Sequence, residues 1–387
     1  MKILTVLTYY RPHTSGLTIY VERLASSLVK LGHEVTVLTS QYDPTLPREE
    51  VKDGVRIVRA PALFRVSKGV IMPTFGLLAW RLVLDHEVIH LHLPQFDAAG
   101  VAFRGRFLKK PTILTYHCDL KLPEGFFNRV VNFIVLRMNA LAGILAHRIG
   151  AYTEDFAEHS PFLQRFADKV QVILPPVRIP DPEPGQAAAF QKQVNPREQF
   201  PLIGMATRFA SEKGVEVLLR ALPRVLESYP DARVLFAGEY QDVMGEQAYF
   251  ERLKVRIEEY QSRDQWEFLG ILRPDEMAAF YRSLDVLVVP SLNSTETFGL
   301  VQIEAMMEGT PTVASNLPGV RVPPTMTGMG EVIPIGDAQA LAEKIINVVT
   351  HPERYQGNPQ EIREIFDPLR NAEQYQELYL ELLKELD

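Results

Sequence analysis

Short apolar runs alternate with amphipathic helical stretches along almost the whole of this 387-residue chain, and no other feature constrains the fold as much. Strand, helix and strand in succession bury both faces of a sheet when the strands run parallel and the helices cross over it, as in βαβ units. The chain is therefore expected to be α/β throughout. Expected strands in the first half span 3–7, 35–39, 55–58, 88–91, 112–115, 150–152 and 170–174, and in the second half 202–206, 233–237, 266–269, 286–289, 312–314 and 331–333. Helical periodicity fills the intervals, at 18–31, 215–228, 246–261, 274–283 and, as a long final stretch, 371–386. The longest helical pattern, about 124–148, is apolar on most faces and carries Arg129, Arg137 and Arg148. It is expected to be a buried domain helix whose arginines reach the surface by their own length.

The alternation breaks once. Residues 174–185 hold five prolines and a glycine in twelve positions, a density that neither helix nor sheet survives. A chain this long exceeds one ordinary core, so the break divides it into two α/β domains, 1–178 and 179–370. With 46% hydrophobic and 23% charged residues, the composition is that of a folded protein. Cys118 is the only cysteine, which excludes an internal disulfide and a cysteine-based zinc site and makes a reducing cytoplasm the expected compartment. The first residues lack the long apolar core and small-residue cleavage site of a signal peptide and read as a strand. No uninterrupted apolar run approaches bilayer length; the nearest, 130–136, contains Asn132.

The net charge of −7 is unevenly spread. Residues 1–150 carry 19 Lys and Arg against 11 Asp and Glu, a balance of +8, and the rest of the chain carries −15. A basic first half suits an anionic surface, and the expectation is peripheral attachment to the inner face of a membrane, or a phosphorylated acceptor, with no nucleic acid as partner. The bland alternative is a solvated basic surface.

Chemistry-bearing residues gather where strands end and helices begin, the place where open α/β sheets bind ligands. The loop 9–18 offers Gly16, which lets backbone come close to a phosphate at a helix start, although no dinucleotide or P-loop fingerprint occurs anywhere. His117 follows a strand and could hydrogen-bond a sugar hydroxyl, although strand-end histidines are often structural. Arg208 and Lys213 lie five apart around a polar turn, so both cations can converge on one diphosphate. A departing diphosphate gains negative charge in the transition state, which fixed cations offset. The most informative stretch is 294–304, where Glu296 stands in a loop, Glu304 lies about a turn and a half into a helix, and the amides of Phe298, Gly299, Leu300 and Val301 form an anion site at the helix start. Glu304 suits a vicinal diol.

Taken together, Gly16, the 32–35 strand entry, the His117 strand end, 208–214, 296–304 with Phe298-Gly299 between the glutamates, and Leu317-Pro318-Gly319 make the chain resemble the family 4 (group 1) retaining glycosyltransferases of the GT-B fold over essentially its whole length. The resemblance implies two Rossmann-like domains with parallel sheets facing across a cleft. The first would bind the acceptor and take back the last helix, about 371–387; the second would hold the nucleotide sugar. It implies that Arg208 and Lys213 hold the donor diphosphate with help from Gly16 and the 298–301 amides. Glu296 would then touch the sugar hydroxyls and Glu304 the ribose, while backbone at Gly270 and Ile271 receives the base and His117 lies beside the transferred sugar. No cofactor and no metal are implied: a hexose-type sugar would pass from a UDP- or GDP-linked donor to a hydroxyl acceptor, lipid-linked or glycan, by front-face attack with retention. Ser15 before Gly16, where many relatives carry a glycine pair, and the stretch 321–330 depart from the usual pattern. Competing readings are a nucleotide-sugar epimerase or polysaccharide synthase of the same architecture, or a catalytically silent GT-B subunit. Retention of both cations and both glutamates speaks against the last.

Overall fold

The computed structural model describes residues 1–66, 69–121 and 125–386, and the chain forms two compact units. The first is Met1–Pro176 together with the C-terminal segment from Phe366 onward, and the second is Val177–Ile365.

Unit 1 contains β1 (Lys2–Val6), β2 (Glu34–Gln41), β3 (Glu49–Lys52), β4 (Val55–Pro61), β5 (Phe64–Val66), β6 (Gly69–Ile71), β7 (Val88–Leu93), β8 (Thr112–Tyr116), β9 (Arg148–Ala151) and β10 (Val170–Val172). Eight of them make one sheet in the order β10-β9-β8-β7-β1-β2-β4-β3, and β5 and β6 form a separate antiparallel pair. Every pairing in the large sheet is parallel except β3 on β4. Unit 2 contains β11 (Leu202–Ala206), β12 (Arg233–Ala237), β13 (Trp266–Gly270), β14 (Val286–Val289), β15 (Thr312–Ser315) and β16 (Gly330–Ile333), all parallel, in the order β13-β12-β11-β14-β15-β16. This is a doubly wound arrangement. Its strand order reverses at β11 and β14, leaving a crevice at their carboxyl ends. Helices cover both faces of such a sheet, so its central strands are apolar without alternation: all of β11 and β14 is buried. Ile203, Leu218, Phe236, Trp266, Val288 and Ile345 belong to the core that results.

Most expected elements form within two residues of their expected ends, and β3, β5 and β6 are additions. The long helix differs in kind. It runs Phe126–Leu145, not to 148, and Glu124 lies outside the described residues. Ala146 turns to extended backbone, which frees 148–151 to pair with β8 as β9. Arg148 therefore sits on a strand, where it pairs with Glu385 at 2.9 Å and Glu381 at 3.7 Å. Nor is the helix buried: Phe126, Phe133, Ile134, Leu141 and Ile144 are exposed, because only the face bearing Asn139, Ala142 and Gly143 meets the unit. Apolarity on most faces misled the expectation, since an unpartnered apolar face reads like a buried one.

The last helix, Pro368–Leu386, packs into unit 1 beside the helix Gly16–Lys30. Residue 387, the last of the expected span, lies outside the described residues. Tyr375, Leu378, Tyr379 and Leu382 give it a fully buried face. Two tyrosine hydroxyls on that face need partners, and they find them: Tyr375 meets Tyr20 at 2.9 Å and Thr115 at 2.7 Å, and Tyr379 meets His90 Nδ1 at 2.7 Å.

Candidate functional site

In unit 2 the two loops that leave β11 and β14 are held together by their backbones. After β11 the chain passes Arg208 and a single 3₁₀ turn, Ser211–Lys213, before the helix Val215–Ser228. Gly214 joins turn to helix with φ +73°, and a Cβ there would stand 2.1 Å from the carbonyl oxygen of Pro290, just beyond β14. Only glycine fits both the angle and the approach. Two residues earlier, the Glu212 carbonyl accepts the Leu292 amide at 2.8 Å, so the loops share a hydrogen bond as well as a contact.

This closeness brings the charged groups together. Lys213 Nζ donates to Glu296 Oε2 at 2.7 Å, both side chains about four-fifths buried. Arg208 donates through Nη2 to Glu212 Oε1 at 3.0 Å, and its side chain is 41% exposed. Glu212 escaped the reading of the sequence; its one signal is the i to i+4 spacing from Arg208. The cations thus enter the crevice already paired with carboxylates, Arg208 with Glu212 on its own loop and Lys213 with Glu296 on the facing one.

Downstream, the helix Leu300–Met307 starts at Gly299, which has φ +74° and no side chain with which to cap the first turn. Amides at a helix start present partial positive charge to an anion. Phe298 points the other way, into the core at 1% exposure, so it contributes backbone and an anchor only. Gln302 sets this bend. It is fully buried, its Nε2 donates to the carbonyls of Phe298 at 2.8 Å and Val320 at 3.0 Å, and its Oε1 accepts from Thr312 at 3.2 Å. Nothing in the sequence distinguishes this glutamine from a surface one. Glu304 receives the hydroxyl of Tyr281 on Oε2 at 3.0 Å, which fixes the carboxylate's orientation. Gly270, with φ +69°, ends the edge strand β13, its carbonyl accepting the Gly238 amide at 2.7 Å, and Ile271 beyond it is 76% exposed. Parallel strands deliver all these residues to the same edge of the sheet.

Gly16 and His117 belong to unit 1. Ser15 caps the helix that Gly16 begins, its hydroxyl accepting the Thr18 amide at 3.2 Å, which accounts for a serine here. No described atom lies within 4 Å of where a Cβ on Gly16 would be, so neither turn nor packing demands glycine there. His117 sits at the end of β8 in a buried polar chain. Its Nε2 lies 2.9 Å from Nδ1 of His92, its Nδ1 meets the hydroxyl of Tyr152, and His92 packs at 4.3 Å between ring centroids on His90. Burial pushes His117 and His90 each down to about 3, and His92 well below its ordinary value, so all three are neutral near pH 7. Nε2 of His92 is buried with no hydrogen-bond partner among the described residues. An orphaned acceptor is more tolerable there than an orphaned N–H, which places the His92 proton on Nδ1, donating to His117, and makes His117 donate onward to Tyr152. Neither His92 nor Tyr152 was singled out in the sequence, because their pairing with His117 is tertiary. Among the described residues, no group of three or more His, Cys, Asp or Glu could hold a metal ion.

Comparison with known proteins bears on the family and the fold. Residues 187–363 match the model of the glycosyl transferases group 1, and residues 15–176 match that of a glycosyl transferase 4-like domain. The chain is 26% identical to a phosphatidyl-myo-inositol mannosyltransferase of Mycobacterium leprae over 92% of its own length and 90% of that protein. Among solved structures it is similar to sucrose-phosphate synthase from Thermosynechococcus elongatus, at TM-score 0.78 and 22% identity over 99% of both chains. It is also similar to HepE of Anabaena in complex with UDP-glucose, at TM-score 0.75 and 19% identity over 98% of this chain and 99% of the other. The structural likenesses show a shared architecture, the GT-B fold.

Proposed function

The chain belongs to the glycosyl transferases of group 1, and on that premise we propose that it moves a hexose-type sugar from a UDP- or GDP-linked donor to a hydroxyl acceptor, lipid-linked or glycan, with retention of anomeric configuration and without a metal. The observation that carries this reading is the Lys213–Glu296 pair at 2.7 Å, set beside Arg208 where the strand order of unit 2 reverses. In the proposed reaction Arg208 and Lys213 hold the donor diphosphate with the amides at the start of Leu300–Met307. When the bond from the anomeric carbon to the diphosphate breaks, the electron pair stays on a phosphate oxygen, and two fixed cations and a helix start offset that charge. The acceptor oxygen forms its bond on the face just vacated, and its proton passes to the departing diphosphate.

The other proposed roles are those that the family resemblance implies. Glu296, held by Lys213, would accept from sugar hydroxyls, and Glu304, oriented by Tyr281, from the ribose diol. Gly270 and Ile271 would offer backbone to the base. For Gly16 the resemblance implies help in holding the diphosphate, and the open space at its α-carbon leaves room for a close approach. His117 is neutral, with both ring nitrogens engaged, so it would serve by position beside the sugar and not as a proton carrier. Support for a nucleotide-sugar donor comes from HepE, solved with UDP-glucose.

A panel of nucleotides and nucleotide sugars in thermal-shift assays would name base and sugar together, since a ligand that binds the native state raises its stability. Product anomers read by NMR would test retention, and turnover undiminished in EDTA would test metal independence. If no nucleoside diphosphate shifts the melting temperature, the donor assignment fails.

A further inference from the structure

Three helices of unit 1 lie side by side and leave their outer faces apolar. They are Phe75–Asp85, Ala98–Phe107 and Phe126–Leu145. Trp80 of the first meets Phe107 of the second at 6.3 Å between ring centroids, Phe103 stacks on Phe107 at 6.0 Å, and the second helix packs against the third. The exposed apolar side chains are large: Leu77 is 78% exposed, Phe107 65%, Phe126 83% and Phe133 59%. On the third helix the exposed positions 126, 129, 130, 133, 134, 136, 137, 141 and 144 form a broad stripe along one face. A monomer seldom leaves so much contiguous apolar surface in water.

The charges around this face are mostly basic. No Asp or Glu occurs between residues 98 and 118 or between 125 and 153, while Arg106, Lys109, Arg129 and Arg137 are exposed there. Arg104 lies over the Trp80 ring at 5.9 Å, and Arg137 over Phe133 at 4.9 Å. The one carboxylate on the three helices is Asp85. Apolar side chains with cationic heads beside them, on a helix that is not long and apolar enough to cross a membrane, suit the boundary between acyl chains and anionic headgroups. A second copy of the chain pressed onto the same face would set these cations against each other.

We propose that this three-helix face docks on an anionic lipid surface, with Phe126–Leu145 lying in the plane of the interface. Phe126, Phe133 and Ile144 enter the acyl boundary, and Arg106, Lys109, Arg129 and Arg137 meet the headgroups. The docking is independent of the donor chemistry proposed above.

Sedimentation of the full chain with vesicles tests it, using phosphatidylcholine alone and phosphatidylcholine with about one-third phosphatidylglycerol. Binding to the anionic vesicles is expected to be at least about tenfold the stronger, and to weaken at high salt. Arg129→Glu with Arg137→Glu, and separately Phe133→Asp with Ile144→Asp, should each reduce it about tenfold or more. All four positions are exposed, and an unchanged melting temperature and nucleotide-induced shift would show that both variants fold and keep the donor site. Equal binding to both vesicle types, no binding to either, or a concentration-dependent dimer that the Phe133→Asp variant dissolves would overturn the proposal.

Discussion

At Gly214 one added carbon would stand 2.1 Å from the Pro290 carbonyl oxygen, in a backbone conformation, φ +73°, that L side chains seldom adopt. Both effects act on the joint between the loops that carry Lys213 and Glu296. Gly214→Ala is therefore expected to lower stability by about 1–3 kcal/mol and to cost activity beyond that loss, because the two loops must part; melting temperature and turnover on the folded fraction check it. Lys213→Ala removes a cation from the developing diphosphate charge and should reduce kcat by about 100- to 1000-fold with folding intact, measured with the identified donor. Glu304→Gln should raise the donor KM more than it lowers kcat, since a ribose contact is made equally in ground and transition states. The charged residues were legible in the sequence because two cations, two glutamates and strand-end positions coincide. Gly214, Gln302, Tyr281 and Glu212 were not, since each acts through a neighbour distant in sequence or through a side-chain direction that spacing does not show.

Among the elements, the last helix illustrates how a segment can be foreseen while its job is not. Periodicity located it well, but the partners of its buried face, His90, Thr115 and Tyr20, sit on β7, β8 and the first helix. Their ring and hydroxyl groups form one buried polar network with His92 and His117. The network predicts a pH dependence. Histidines held neutral bind fewer protons when folded than when unfolded, so stability is full above the unfolded pKa near 6.5 and falls as the pH drops through the window from there to about 3. Each histidine contributes up to about 1.4 kcal/mol per pH unit within that window. Denaturant midpoints measured from pH 7 to pH 4 should fall steeply, and less so for His90→Gln after allowing for its own destabilisation. The helix Phe126–Leu145 shows the opposite limitation: hydrophobicity located it, yet its burial depended on what the rest of unit 1 laid against it, and only one side was covered.

For the molecule as a whole, a nucleoside diphosphate at about 100 times its Kd should stabilise the native state by about 2.7 kcal/mol, and the melting temperature should rise accordingly. Alternation of apolar and amphipathic runs, the proline-dense break and the positions of strand ends are local properties, and they suffice to determine two α/β units, parallel sheets and the sheet edge at which ligands gather. Period and chain geometry decide these without reference to distant residues. What the tertiary structure alone decided is pairing: that Gly214 meets Pro290, that Lys213 meets Glu296, that His117 spends its ring nitrogens on His92 and Tyr152, and that one apolar helix face is left uncovered. Such contacts depend on which loops the strand order brings to the same end of the sheet, a long-range outcome that no window of sequence contains.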